Sequence, residues 1–349
     1  MAPSARIRPL YLWLGGAFAV LTAIALVTTL SPRPTAMLIR AVFEAGGRAT
    51  VAEMRPYAPT SGLTEHRNVS YRDGDPDATL SLFRPEGAAE PLPVVVWVHG
   101  GAWISGQKED VEPYVRMIAD RGFVAVTLDY SIGPEAQYPT AVGQINDALA
   151  FLNEHAAEYG IDPEQFVIAG DSAGAQLASQ VTAMATNPQL ATLMGTQPSL
   201  RPEQISGTIL HCGVYDMRAM AELSGIENWG FKIALWATTG TRDWSSTYAG
   251  ATMSSLNFVT EDFPTTLISG GNADALTWLQ SIPMSQRLEE VGVDVESHFF
   301  AHDAEPALEH EYQFKLDSPE AQQMFEDTIV YLDRITERPA DAGAGSSPR

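Results

Sequence analysis

Cysteine is almost absent from the sequence: Cys212 is the only one among 349 residues. A single cysteine excludes an intramolecular disulfide, and no cysteine cluster is available to hold a metal ion. Cys212 lies in the apolar run 208–215, which predicts a buried strand, so we expect its thiol to pack in the core. No metal and no organic cofactor are expected.

Positive charge is also scarce. The chain has 21 Lys and Arg residues against 43 Asp and Glu residues, and its formal net charge is −22. Binding to nucleic acid or to anionic lipid headgroups needs basic patches, so this balance disfavours both. A charge of this sign also repels polyanionic substrates. We therefore expect the partner to be a small uncharged molecule.

Charge is missing altogether from one long stretch near the N-terminus. The 21 residues Leu10–Leu30 contain no charged side chain and follow Arg6 and Arg8. As a helix this stretch is about 30 Å long, enough to cross the hydrocarbon core of a bilayer. No Ala-x-Ala-like site follows it, so residues 1–34 are predicted to be an uncleaved membrane anchor; a cleaved signal peptide and a buried helix are the alternatives. Arg6 and Arg8 favour a cytoplasmic N-terminus, whereas Arg33 and Arg40 lie just beyond the segment. On balance we expect an extracytoplasmic domain, which would be secreted if the segment is cleaved.

Three further regions follow from composition and hydropathy patterning. Residues 35–64 are predicted to be a connector with a short amphipathic helix, and residues 65–336 a single α/β domain. Within that domain, residues 217–260 interrupt the alternation of strands and helices, so they form either a cap over the sheet or a loop that covers the core. The tail 337–349 is rich in Ala, Gly, Ser and Pro and is predicted to be disordered.

Continuous apolar runs alternate with amphipathic stretches through the predicted domain. A hairpin is predicted over 69–83, around the turn signal Asp73–Pro76. The first of the later runs, 94–98, is continuous and apolar, as expected for parallel strands that are buried on both faces. These strands are predicted at 94–98, 124–128, 166–169, around 209, 265–269 and 293–300. The alternation predicts a doubly wound, mostly parallel sheet.

The motif Gly170-Asp-Ser-Ala-Gly174 lies between a predicted strand and a predicted helix. A G-x-S-x-G motif in this position lifts the serine hydroxyl above the sheet on a sharp, strained turn. The two glycines are needed because side chains there would collide with the neighbouring strand and helix. We therefore predict Ser172 as a nucleophile; the alternative is an ordinary turn between a strand and a helix.

A second glycine-rich motif, His99-Gly-Gly-Ala-Trp103, ends the first of the buried strands. A loop of this kind presents backbone N–H groups to a negatively charged oxygen, forming an oxyanion hole. The predicted donors are the N–H groups of Gly100, Gly101, Ala102 and Ala173, the last being the residue after the nucleophile. The histidine that opens the motif is interpreted as a structural hydrogen-bonding residue.

A nucleophilic serine needs a base and an orienting acid, and both are expected near the carboxyl ends of later strands. Asp274 follows the strand 265–269 and a Gly-Gly bend, which places its carboxylate at that end. Glu261 and Asp262 precede the strand and are poorly placed. The base is expected after the last strand, in the chain order Ser, Asp, His.

Three histidines lie in or after the last predicted strand. His298 lies inside the strand and is expected to point into the packing of the sheet. His302 follows the strand end directly, whereas His310 lies at the end of a longer loop, before the final helix. Spacing favours His310 over His302 as the base but leaves both open.

From about residue 65 to residue 335 the chain resembles the hormone-sensitive-lipase-like and feruloyl-esterase-like carboxylesterases of the α/β-hydrolase superfamily. The resemblance rests on His99–Trp103, Asp129-Tyr130, Pro134-Glu135, Pro139, Gly170–Gly174 and Asp274–Leu276. It implies the α/β-hydrolase fold, Asp274 as the acid, and His310 as the base at the head of a His-Glu-Tyr turn. The sequence departs from the family pattern at Ala102, where many members have glycine, and at Ala275, where proline is usual.

The residues and the resemblance together predict a serine hydrolase that cleaves small uncharged carboxylic esters through an acyl-enzyme intermediate. A serine nucleophile excludes dehalogenase and epoxide-hydrolase chemistry, which needs a carboxylate at that position. An amidase, a peptidase or a lactonase would have the same motifs, because the difference lies in the leaving group and the pocket shape. A catalytically silent, membrane-tethered binding module is a further alternative.

Overall fold

The structure, a computed structural model, describes residues 7–337. Residues 1–6 of the predicted anchor and residues 338–349 of the predicted tail lie outside the described residues. The helices are α1 (Ile7–Leu30), α2 (Arg33–Met54), α3 (Glu112–Asp120), α4 (Thr140–Glu154), α5 (Ala156–Tyr159), α6 (Ser172–Thr186), α7 (Pro188–Met194), α8 (Gly225–Thr239), α9 (Tyr248–Met253), α10 (Ile282–Glu290) and α11 (Pro319–Ile335).

One eight-stranded sheet organises the domain. Its strands are β1 (Leu63–Ser70), β2 (Thr79–Pro85), β3 (Leu92–Val98), β4 (Val124–Leu128), β5 (Ile161–Asp171), β6 (Ile205–His211), β7 (Thr266–Gly270) and β8 (Val295–Phe299). Their order in the sheet is β1-β2-β4-β3-β5-β6-β7-β8. Strand β2 runs antiparallel to β1 and β4, and the other neighbours are parallel. The predicted hairpin and the predicted mostly parallel sheet are both confirmed.

Burial on both faces explains the unbroken apolar run of β3. Val94, Val96 and Val98 belong to one core cluster, with residues of α4 and α6. Val95 and Trp97 belong to a second cluster, with residues of α3 and α11. All five side chains are at most 1% exposed. Strand β3 therefore lies at the centre of the domain, and its carboxyl end emerges between the two cores.

Helix α6 begins in very close contact with the end of β3. A Cβ atom on Gly174 would lie 2.0 Å from the carbonyl oxygen of Val98, and one on Gly170 would lie 2.6 Å from the carbonyl carbon of Gly174. Real Cβ atoms essentially never approach heavy atoms this closely. Both positions therefore require glycine, which confirms the steric reason inferred for the two glycines of the G-x-S-x-G motif.

Helix α2 is part of the domain, although the sequence predicts only a short helix and connector over 35–64. The Arg40 guanidinium donates to the carbonyl oxygens of Ile104 (2.5 Å) and Gly133 (2.6 Å), and to the carboxylate of Glu135 (2.6 Å). These bonds hold the helix against two loops of the domain. Its full length of 22 residues was missed because an adjacent pair of glycines weakens the helical pattern in the sequence.

Helix α1 is the segment for which the sequence predicts a membrane anchor. Its apolar side chains are exposed: Trp13, Phe18 and Leu30 are each more than 70% exposed. Among residues 7–337, no single helix is long and apolar enough to cross a membrane. Gly16–Leu30 and Arg33–Tyr57 satisfy that criterion only as a pair, which is bent by 84°. The anchor therefore stays a prediction.

The interruption predicted over 217–260 lies between β6 and β7 and contains α8 and α9. Trp244 is buried within it, whereas Trp229 on α8 is 49% exposed. Helix α8 packs against α2. An insertion late in the chain and a helix near its start are therefore neighbours in the fold.

The glycine contacts predict opposite effects for two Gly-to-Ala variants in the first turns of helices. Gly174→Ala forces a methyl group onto the Val98 carbonyl and should lower the free energy of unfolding by about 1–3 kcal/mol or more. Gly143→Ala in α4 is the control, because its nearest neighbour would be 3.9 Å away. It should raise stability by roughly 0.5–1 kcal/mol. Urea unfolding measures both, and equal stabilities would contradict the packing described.

Candidate active site

Ser172 occupies the turn between β5 and α6. Its backbone has a φ of 50°, a conformation that residues other than glycine rarely adopt. The residue is 5% exposed. Strands β3, β5, β6 and β7 are parallel neighbours, so their carboxyl ends meet at one edge of the sheet. Ser172 lies at that edge, where open α/β sheets bind ligands.

The structure brings Ser172, His310 and Asp274 together. His310 Nε2 lies 3.0 Å from the Ser172 hydroxyl oxygen, and His310 Nδ1 lies 2.7 Å from Asp274 Oδ2. With Nδ1–H donating to the carboxylate, Nε2 is free to accept the serine proton. The other oxygen of Asp274 accepts from the backbone N–H of Leu276 at 2.9 Å, which orients the carboxylate. The three side chains form a continuous hydrogen-bonded chain.

The other two histidines of the last strand region have different surroundings. His302 is exposed and packs its ring against Trp278, with ring centroids 5.2 Å apart. His298 lies in β8, as the sequence predicts, and its ring nitrogens contact Glu296 (3.2 Å) and Asp327 (3.4 Å). Neither ring hydrogen-bonds to the serine within the part of the chain that the structure describes. The longer loop brings His310 back over the turn.

The surroundings of His310 favour its charged form. Burial of the ring disfavours the charge, but the neighbouring Cys212 and Asp274 outweigh burial and raise the pKa of His310 well above its usual value. The Asp274 carboxylate is the group that can carry a full negative charge here, because burial raises the pKa of the Cys212 thiol. The imidazolium is therefore stabilised by its position.

Cys212 is a neighbour of His310 that the sequence does not reveal. The thiol is buried as expected (1% exposed), and Cys212 is the first residue after β6. Donor atoms of Cys212, Asp274 and His310 lie within 4.8 Å of one another. Both ring nitrogens of His310 are already engaged, so a metal ion there would have to displace the bonds to Ser172 or Asp274. The one signal in the sequence is position: Cys212 directly follows the strand beside β7.

The predicted oxyanion loop lies beside Ser172, and one of its predicted donors is already occupied. The N–H of Gly100 donates to Asp171 Oδ2 at 2.8 Å, so it is not free to bind an oxyanion, contrary to the prediction. The N–H groups of Gly101 and Ala102 have no hydrogen-bond partner among residues 7–337. Ala173 lies in the first turn of α6, where backbone N–H groups lack helical partners. Three of the four predicted donors remain available.

Asp171 and Glu311 form a pair of carboxyl groups behind this loop, which sequence reasoning missed. Their side chains are within hydrogen-bonding distance, and Asp171 also accepts from Trp97 Nε1 at 2.7 Å. Burial, followed by the charge of Glu311, raises the pKa of Asp171 well above its usual value. Two carboxyl groups in such contact favour one shared proton. The pair links the residue before Ser172 to the residue after His310.

A cavity of about 480 Å³ lies over the three hydrogen-bonded side chains. One wall belongs to α2 and consists of Val42, Phe43, Gly46, Gly47 and Thr50. Apolar residues of the rest of the domain that line it are Val111, Leu223, Phe231, Leu276 and Phe314. A mostly apolar cavity above a nucleophile suits an uncharged organic substrate. No motif marks α2 in the sequence, so its role as a wall was not predicted.

Comparison with known proteins identifies a matching family profile and individual relatives. The sequence profile of the BD-FAE family matches residues 80–288. The carboxylesterase NlhH of Mycobacterium tuberculosis is 36% identical over 122 residues, which are 35% of this chain and 38% of the relative. The acetyl esterase of Salmonella schwarzengrund is 33% identical over 103 residues, or 29% of this chain and 31% of the relative. The aligned region thus spans less than two fifths of these curated relatives.

Solved structures share the fold over most of the chain. Esterase B from Lactobacillus rhamnosis has a TM-score of 0.76 at 21% identity, covering 88% of this chain and 95% of its own. A bacterial heroin esterase has a TM-score of 0.65 at 22% identity. The alignment covers 85% of this chain and 90% of the heroin esterase chain. These similarities establish the α/β-hydrolase fold of the domain.

The hydrogen bond between His310 and Asp274 predicts a measurable shift in the pKa of the imidazole. In the unmodified protein, NMR titration of His310 should give a pKa above the ordinary value of about 6.5. Asp274→Asn removes the negative charge and should lower that pKa. Glu309→Gln is the control, because Glu309 is adjacent to His310 in sequence but pairs with Lys315 at 2.8 Å. An unchanged pKa in Asp274→Asn would show that the carboxylate does not stabilise the imidazolium.

Proposed function

Because the chain belongs to the BD-FAE family of α/β-hydrolase carboxylesterases, we propose that it is a serine hydrolase that cleaves carboxylic esters. One observation carries the proposal: the continuous hydrogen-bonded chain from the Ser172 hydroxyl through His310 to Asp274. Ser172 is the proposed nucleophile, His310 the base and Asp274 the acid that orients the base. The apolar cavity above them is the proposed substrate site.

The proposed reaction has two steps of acyl transfer. His310 Nε2 takes the proton of Ser172 as the serine oxygen bonds to the ester carbonyl carbon, whose oxygen becomes an oxyanion. The bond to the alcohol then breaks, and His310 returns the proton to the departing alcohol. A water molecule then gives a proton to the same nitrogen and attacks the carbonyl carbon of the acyl-enzyme. The bond from that carbon to the Ser172 oxygen breaks, His310 returns the proton to this oxygen, and the carboxylic acid is released. Asp274 holds the ring in the tautomer that these transfers require.

The N–H groups of Gly101, Ala102 and Ala173 are the proposed oxyanion donors. Loss of one such donor typically costs about 3–4 kcal/mol in transition-state stabilisation. The shape of the loop therefore matters as much as the three side chains. Asp171 supports that shape, since it accepts the Gly100 N–H and removes it from the set of donors.

The proposed substrate is an uncharged ester with an apolar acyl or alcohol group. The cavity lining and the net charge of −22 support this choice. Among structural neighbours, esterase B of Lactobacillus rhamnosis has been studied with a tributyrin phosphonate inhibitor, and a curated relative is an acetyl esterase. Amides, peptides and lactones remain alternative substrates, since they use the same groups. A silent binding module is disfavoured by the complete hydrogen-bonded chain.

The N-terminal segment is proposed to attach the domain to a membrane, with the domain outside the cytoplasm. The support is the absence of charge in Leu10–Leu30 and the exposure of apolar side chains along α1. Exposed apolar surface of this extent marks a site of membrane or protein interaction.

Removal of the proposed nucleophile or base should abolish ester hydrolysis. Ser172→Ala and His310→Ala should each lower kcat for p-nitrophenyl esters by several powers of ten, because the triad acts as a unit. His302→Ala is the matched control and should stay within about tenfold of the unmodified enzyme. A fluorophosphonate probe should label the unmodified protein but not Ser172→Ala. Activity should rise with pH through an apparent pKa above about 6.5, as His310 loses its proton.

Three outcomes would contradict the assignment. Retention of activity in Ser172→Ala would show that Ser172 is not the nucleophile. An inactive His302→Ala beside an active His310→Ala would exchange the two histidines and leave the reaction class intact. A protein that neither reacts with the probe nor hydrolyses any ester would be the silent binding module.

Gly46 and Gly47 of α2 line the cavity. We therefore expect α2 to limit the length of the acyl chain that the cavity accepts. A Cβ on Gly46 would meet no heavy atom within 4 Å, so Gly46→Leu can fold while its side chain narrows the cavity. The ratio of kcat/KM for decanoyl to acetyl p-nitrophenyl esters should fall about tenfold, as each methylene in such a pocket is worth about 1–3 kcal/mol. Gly230→Leu on α8 is the control, since that position is equally open but does not line the cavity. An unchanged ratio would show that the acyl chain does not reach α2.

A further inference from the structure

The wall that α2 adds to the cavity is continuous with an exposed apolar surface. Val42 and Phe43 line the cavity, and yet they are 63% and 43% exposed. Leu38 lies one helical turn before Val42 and is 64% exposed. The same side chains thus belong both to the cavity and to the outer surface of the helix. They form part of its mouth.

Helix α8 also exposes apolar side chains. Its Phe231 lines the cavity, and its Ile226 and Trp229 are 81% and 49% exposed. Because α8 packs against α2, the exposed residues of the two helices lie on neighbouring elements. We call the set Leu38, Val42, Phe43, Ile226 and Trp229 the apolar rim. Five large apolar side chains exposed on two helices that both line one cavity are more than scattered surface residues.

Two arginines near the start of α2 are held by one carboxylate of the domain. Arg40 and Arg33 both pair with Glu135, at 2.6 Å and 3.4 Å. The rim consists of uncharged side chains, and the net charge of the chain, −22, repels an anionic partner. The partner that suits this surface is therefore an electrically neutral apolar phase.

The direction of α1 indicates how the rim would face a lipid bilayer. Its segment Gly16–Leu30 makes an angle of 84° with Arg33–Tyr57, which contains α2. If α1 inserts along the normal of a bilayer, α2 must lie almost parallel to the bilayer surface. An amphipathic helix in that orientation buries its apolar side chains at the level of the headgroups. Leu38 and Val42 are exposed apolar side chains of α2 that would be buried at the level of the headgroups in this orientation.

We infer that the apolar rim rests on a lipid surface, and that the substrate is a neutral, lipophilic ester that enters the cavity directly from the lipid. The inference rests on the proposed ester hydrolysis and on the proposed membrane attachment, and it specifies the substrate class. An ester that is dissolved in the bilayer reaches Ser172 by passing between α2 and α8, without crossing water. Lipids with zwitterionic headgroups suit the rim, because anionic ones repel a protein of this charge.

The test compares one soluble and one lipid-dissolved ester, using the full chain. The substrates are p-nitrophenyl acetate in water and p-nitrophenyl palmitate in phosphatidylcholine vesicles. The double variant Leu38→Glu/Ile226→Glu changes two rim residues that do not line the cavity. Hydrolysis of the vesicle substrate should fall by at least about tenfold, since charge at these positions opposes insertion. Hydrolysis of the acetate should stay within about twofold, which also shows that the variant folds.

The matched control is Val330→Glu. Val330 is 63% exposed, like Leu38, but it lies on α11, a helix of the second core cluster. It should change neither rate. Equal loss with both esters in the rim variant, or no loss with the vesicle substrate, would overturn the inference. A rim variant that changes the molecular mass by light scattering while the vesicle rate is kept would assign the rim to a second copy of the chain. A wild-type chain without activity on the acetate would instead refute the proposed function.

Discussion

The contact between the first turn of α6 and the end of β3 constrains every group at the site. Because Gly174 lies against the Val98 carbonyl, the turn that holds Ser172 can adopt only one path, and its backbone takes a positive φ. The same contact places the start of α6 beside the loop that follows β3. A serine hydroxyl and a set of backbone N–H groups are thereby held side by side before any substrate binds, which is the preorganisation that acyl transfer needs.

Hydrogen bonds between side chains join the remaining parts of the site to that turn. His310 connects Ser172 to Asp274, and thus a late loop to the end of β7. The carboxyl pair of Asp171 and Glu311 makes a second connection between the same loop and the turn. Two links thus hold His310 over Ser172. The Cys212 thiol, whose pKa is raised by burial, lies close to the ring without adding a charge at neutral pH.

The cavity depends on elements outside this framework. Its walls include α2, which precedes the sheet in the chain, and the insertion between β6 and β7 that contains α8. These elements leave the reaction chemistry unchanged but decide which molecules reach Ser172. Their exposed apolar side chains and the orientation of α1 are the grounds for proposing substrates that partition into lipid. Access and chemistry are therefore determined by separate parts of the chain.

The sequence by itself determined the buried strands, the hairpin, the turn of Ser172 and the position of Asp274 at the end of a strand, because each depends on neighbours within a few residues. Apolar runs, glycine spacing and strand order are local patterns. Only the tertiary structure decided that His310 rather than His302 meets Ser172, that the Gly100 N–H is occupied by Asp171, and that α2 walls the cavity. Each of these depends on distances between residues far apart in the chain, which loop paths and side-chain packing set and no local pattern records.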